Sequence, residues 1–169
     1  MANSKLVELL YAAWKDNNRV IDGLTPDDAG EKHHGGSSFA WTYAHAANQV
    51  DAQINVRFAG HEPHPLIGED RFRFGGNGDA HEWEAIKAAV EEVRQAARDH
   101  LDGLSDDDLS INIPYDGSFA KYGISEINLR YAIYRAVTHH YFHIGELASK
   151  RDLLGHSVGD YPGILKRTI

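Results

Sequence analysis

Four stretches of this chain repeat their apolar side chains at the helical interval, and glycine closes each one. The first runs from Ser4 to Ile21, with Leu6, Leu10, Ala13, Trp14 and Ile21 in register and Lys5, Glu8, Lys15 and Asp16 on other faces; Gly23 ends it. The second begins at Ser37 or Ser38, continues to about Phe58 and stops at Gly60. It places Phe39, Trp41, Ala44, His45, Asn48, Ala52 and Val56 broadly on one side. The third opens on Asp79, with Glu82 three residues on as in a capping box, and runs through Trp83, Ile86, Val90, Val93 and Ala97 to Leu101 and Gly103. Ser125 is the expected cap of the fourth, which extends to about Leu154 before Gly155 and carries Ile127, Ala132, Ile133, Ala136, Phe142, Leu147 and Leu154 as apolar positions. With 169 residues to hold them, four long helices make one domain spanning residues 1–169.

The connections differ in kind. Thr25-Pro26-Asp27-Asp28 has the chemistry of a helix start but is followed so closely by Gly30, Gly35 and Gly36 that only a short turn is expected. Residues 60–78 form a long link rich in glycine and proline, in which Arg71 to Phe74 alternate like a short extended piece; a link of that length predicts an overhand crossing, not a tight hairpin of helices. From Ser110 to Phe119, alternation around Asp116-Gly117 predicts a small β-hairpin. Residues 158–169 read as a loop lying on the body or on a neighbour. The first and third helices leave through similar sequences, Asp22-Gly23-Leu24-Thr25 and Asp102-Gly103-Leu104-Ser105, each followed by aspartates. We read this as shared stop-and-start chemistry, with two helix–turn–helix halves packed on a common core.

Composition removes several function classes. The chain has no cysteine, so disulfides, thiolate metal sites and a protein thiol nucleophile are excluded, and a reducing cytoplasm is the default compartment. A formal charge of −8 argues against a nucleic-acid backbone or an anionic membrane surface as partner. No apolar run approaches the roughly 20 residues that cross a bilayer, and the first residues lead into an amphipathic helix, not a signal peptide's apolar core. The unusual number is eleven histidines. Any metal held here is bound through nitrogen and oxygen.

Three of those histidines fall within the five positions 139–143. His139 and His143 are four apart, which on a helix puts both rings on one face with Cβ atoms about 5–6 Å apart. His140 points about 100° away from His139. The pair alone is compatible with a solvated histidine-rich face. His45, on the inward side of the second helix, supplies a third ligand if the second and fourth helices are neighbours. Three imidazoles leave an ion an open position, the pattern of catalytic and not structural sites. Glu146 shares the stripe with His139 and His143, about 20° from the former. It could act as general base, as an acceptor orienting a ligand, or as part of a plain ion pair. Arg135 and Lys150 on the same stripe could hold an anionic substrate group or form plain ion pairs, and Asn48 could orient ligand or water. His33, His34, His61 and His64 read as surface loop residues, and His81 as structural.

The segments Ser38-Phe39-Ala40-Trp41-Thr42-Tyr43-Ala44-His45-Ala46 and His139-His140-Tyr141-Phe142-His143-Ile144-Gly145-Glu146 together resemble the DinB/YfiT-like superfamily of small helical metalloproteins. That family places one histidine in its second helix, and His-x-x-x-His followed by Gly and Gln or Glu in its fourth. The resemblance spans nearly the whole chain. It implies an all-α four-helix bundle, a divalent metal held by His45, His139 and His143, and commonly a homodimer. Members with an assigned activity include transferases and isomerases that use a low-molecular-weight thiol, and others are hydrolase-like; the family name does not imply action on DNA.

An ion with an open position acidifies water or a thiol, or polarises a carbonyl, so the same ligands serve hydrolysis or thiol transfer on a small molecule. All-imidazole ligation points to zinc or nickel first, with iron, copper and manganese as further options. The alternative is a metal- or small-ligand-binding stress protein without turnover. A two-metal carboxylate bundle is the weakest reading, because it needs Glu-x-x-His pairs and positions 42 and 136 hold Thr42 and Ala136.

Overall fold

The computed structural model describes residues 3–32, 36–117 and 120–156. Helix α1 spans Lys5–Ile21, capped by the Ser4 side chain, which accepts from the Leu6 N–H. After Gly23, in the left-handed region at φ 74°, the short α2 (Pro26–Gly30) starts on a reciprocal box in which Thr25 and Asp28 accept from each other's N–H. The exit of the third long helix repeats this chemistry: Gly103 at φ 87°, then Ser105 and Asp108 bonded reciprocally ahead of a single 3₁₀ turn. The two similar sequences therefore build the same turn.

Helix α3 (Phe39–Val50) takes its cap from Ser38, but it does not continue as α-helix to Phe58. Residues Asp51–Val56 wind as a π-helix. The buried polar side chains there bond each other and reach outside the helix: Asn55 donates to Asp51 and to the Val93 carbonyl, and the Asp51 carboxylate accepts from the His64 N–H. Helix α4 (Trp83–Leu101) starts three residues later than the capping box predicts, with Glu82 in place of Asp79 at the cap position. Glu82 is not free to close that box, since its carboxylate accepts from the His81 N–H and pairs with Arg71 at 3.0 Å.

The expected hairpin exists with a different partner. Strand β1 (Asn112–Pro114) pairs antiparallel with β2 (Glu126–Asn128), Ile113 opposite Ile127, so the link between them is much longer than a turn at Asp116-Gly117. Ser118 and Phe119 lie outside the described residues, as do His33, His34 and residues 158–169. Because residues 126–128 are extended, the last helix, α5 (Leu129–Leu153), is capped by Asn128 and not Ser125. Residues 70–72 make a 3₁₀ turn where extended chain is predicted.

In the core α1 packs on α5, and α3 packs on both α4 and α5. Consecutive long helices are thus not the main partners throughout, and the expected halves do not form as units; the first helix closes against the last. Trp14, Leu10, Phe39, Ile86, Leu101, Ile133 and Leu147 are fully buried, each contributing about 1.5–3 kcal/mol of transfer free energy. Phe142, expected as apolar core, is 72 % exposed, because the buried stripe of α5 runs through Ala136, His140, His143 and Leu147. Among the described residues no helix is long and apolar enough to cross a membrane.

Candidate metal centre

The packing of α3 on α5 brings His45, His139 and His143 together, with one nitrogen of each ring within 4.8 Å of the others. Helical spacing alone aligns the α5 pair, whose Nε2 atoms are 3.2 Å apart. The His45 ring meets both edge-on, with centroids 4.9 Å from His139 and 5.0 Å from His143.

Two of the three rings are held in one tautomer. His45 Nδ1 lies 2.6 Å from the Phe72 carbonyl, which only accepts, so the proton is on Nδ1 and the Nε2 lone pair is free to face the other rings. His143 Nδ1–H donates to Glu146 at 2.9 Å, again leaving Nε2 as the donor atom turned toward His139. Such outer contacts accompany metal-ligating histidines. The His139 Nδ1 is buried without a partner. Burial, then the neighbouring His143 and His45, push the His139 imidazole down to about 3; burial also lowers His45. Both rings are therefore neutral at ordinary pH, as a metal ligand must be. Three imidazoles around one point form a donor set that fits a divalent ion.

The supports reach well beyond the three rings. Glu146 accepts from His143 through one oxygen and from Lys150 through the other, at 2.7 Å. These contacts, that with His143 first, hold its carboxyl down to about 2 against the cost of burial. Lys150, almost fully buried, also donates to the Ser37 carbonyl just ahead of α3. Lys150 therefore stands behind the three histidines, joined to them through Glu146. On α3, Trp41, His45 and Asn48 share one stripe, and all three donate to the long link: Trp41 to the Arg71 carbonyl, His45 to Phe72 and Asn48 to Ile67. The Trp41 ring also stacks on His45 at 4.7 Å. The link is folded tightly enough that a Cβ on Gly76 would lie 2.0 Å from the Arg71 carbonyl oxygen.

His45 and His139 form part of the wall of a cavity of about 800 Å³, which Asn48 and Arg135 also line. Among the described residues the remaining histidines are not at the centre. His140 is fully buried and donates Nδ1–H to the Ala136 carbonyl. His64 is less superficial than expected: its Nδ1 accepts from the Leu66 and Ile67 N–H groups, so Nε2–H faces Glu92 and the ring organises the link. His81 stays largely exposed beside Asp79. The sequence could not reveal the Phe72 carbonyl as the support of His45, since a backbone acceptor leaves no mark on residue identity. Trp41, one turn ahead of His45 on the same stripe, was the available hint.

No curated protein matches the chain. A family model described as the DinB superfamily matches residues 9–147, a span that includes all three histidines.

Proposed function

The chain belongs to the DinB superfamily, and from that premise we propose that it is a metal-dependent enzyme acting on a small molecule, with His45, His139 and His143 as the ligands of one divalent ion. The observation that carries this is the convergence of three imidazoles, two of them fixed by their Nδ1–H bonds with Nε2 lone pairs inward, beside a cavity large enough for a substrate whose wall includes His45 and His139. When bound, the ion supplies Lewis acidity, able to make a thiol or water nucleophilic near neutral pH or to polarise a carbonyl.

The chain's own groups do the positioning. Glu146 holds the tautomer of His143 and, being ionised, raises the basicity of the ring it faces. Both of its oxygens are engaged, so we assign it orientation in place of proton transfer from substrate. Phe72 does the same for His45 through a neutral carbonyl. Among the described residues no Asp or Glu side chain lines the cavity to occupy an open position on the ion. Thiol-dependent transfer or isomerisation, and hydrolysis, are the reaction classes these residues serve.

Metal analysis of the purified protein beside its His45→Ala variant tests the reading. The expected result is about one divalent ion per wild-type chain. The variant should hold less than about a tenth of that, with unchanged helical circular dichroism. A wild-type protein that retains no divalent ion after equilibration with zinc or nickel would overturn it. Assays with and without a low-molecular-weight thiol then separate the two reaction classes.

A further inference from the structure

The cavity beside the histidines has a charge opposite to that of the chain. Overall the protein carries 25 acidic against 17 basic side chains. Among the described residues the cavity wall nevertheless includes Arg57, Arg73, Lys121 and Arg135 and no carboxylate. These four come from four separate parts of the chain: the end of the π-helix, the long link, the β1–β2 connection and α5. No local helix or turn rule would gather them. The acids that pair with two of them stand outside the wall and in water. Arg57 is 3.0 Å from Asp116, which is 94 % exposed, and Arg73 is 2.8 Å from Asp70, which is 87 % exposed. Exposed pairs of this kind are weakly held and yield readily to a better-placed anion. Guanidinium groups are also the side chains best shaped to grip a carboxylate through two parallel hydrogen bonds.

The same wall carries an apolar half. Phe74 and Tyr122 are largely exposed, at 99 % and 70 %, and Tyr115 lies under the Arg57 guanidinium at 4.8 Å. Large aromatic rings left open beside cations make a surface suited to a ligand with a flat or aliphatic body and a charged end.

We propose that this cavity binds an organic anion, its carboxylate or equivalent acidic group held by the ring of cations and its apolar body laid on Phe74 and Tyr122, with the other end directed to His45 and His139. This names the substrate class of the proposed enzyme and rests on that reading for its catalytic meaning. The binding preference itself comes from the cations and does not need the ion.

The test uses three probes of one shape and different charge: phenylacetate, phenylacetamide and phenethylamine. Their binding is measured by calorimetry on the full chain, both loaded with zinc and stripped by a chelator. Phenylacetate should bind about tenfold or more tighter than the amide in both states, the ammonium weakest, with the anion's advantage shrinking as salt is added. The double variant Arg57→Gln with Lys121→Gln should cut that preference by about threefold or more, Arg73 and Arg135 remaining, and leave metal content unchanged. Equal affinities, no binding of any probe, or a preference untouched by the double variant would overturn the proposal. A preference present only in the zinc-loaded protein would also overturn it, since the ion and not the wall would then be reading the carboxylate; the metal-site reading would survive. A preference for the anion in a protein that holds no metal would leave this proposal standing and sink the enzymatic one.

Discussion

His143 is oriented by a carboxylate that an ammonium holds in turn, and that ammonium also fastens the backbone ahead of α3. In such a chain of contacts charge matters as much as hydrogen-bonding capacity. Glu146→Gln keeps an oxygen for the His143 Nδ1–H but removes the negative charge that makes the ring a stronger donor. Metal affinity should fall by about 10–100-fold, read by competition with a chromophoric chelator. An unchanged affinity would mean that Glu146 is only a structural ion pair. The stripe containing Glu146, His139 and His143 is visible in the sequence because i, i+4 geometry is local. Which of its candidate roles Glu146 takes is not, because that depends on where Lys150 and Ser37 meet.

At the scale of elements, α1 and α5 share a buried contact in which the Tyr141 hydroxyl donates to the Asp16 carboxylate at 3.2 Å. Asp16 is fully buried, and burial pushes its carboxyl up, partly offset by Tyr141 and Arg19. A raised value in the folded state means that folding favours the protonated acid. The resulting stability is present at pH below the unfolded value of about 4 and is lost as pH rises through the folded value. Asp16→Asn, which keeps an oxygen for Tyr141 and removes the buried charge, should therefore be more stable than wild type at pH 7. A gain of about 1 kcal/mol would raise Tm by roughly 2–4 °C, with the gap closing as pH falls toward 4. Thermal melts across that range decide it; a variant less stable at pH 7 would show that the charge is well compensated. The helices were legible here: Thr25 opens a helix as its sequence context indicates, and α1 and α3 begin beside Ser4 and Ser38, where their starts were expected. The start of α4 and the cap of α5 were not. A long-range Arg71–Glu82 pair and a β-strand partner outweighed the local signals at Glu82 and Ser125.

For the molecule as a whole, the proposed ligands join α3 to α5 across the bundle, so an ion bound there would cross-link elements far apart in the chain. Binding only to the folded state stabilises it by about 2.7 kcal/mol when free metal is a hundred times its dissociation constant. Zinc should accordingly raise the wild-type Tm by several degrees, on the order of 5 °C or more, and leave His139→Ala unmoved. Scanning calorimetry with and without zinc measures this, and a variant that responds like wild type would remove His139 from the ligand set.

The presence of four long helices, their glycine stops and the facing of His139 and His143 follow from interactions within a few residues, so the order of amino acids is enough to establish them. The proximity of His45 to that pair was readable only as a condition, that two helices be neighbours. The Phe72 carbonyl behind His45, the pairing of Ile113 with Ile127 and the gathering of Arg57, Arg73, Lys121 and Arg135 around one cavity arise from the closed core. Each depends on segments distant in the chain being carried into contact by burial of apolar surface, a non-directional force that leaves no local mark on the residues it brings together.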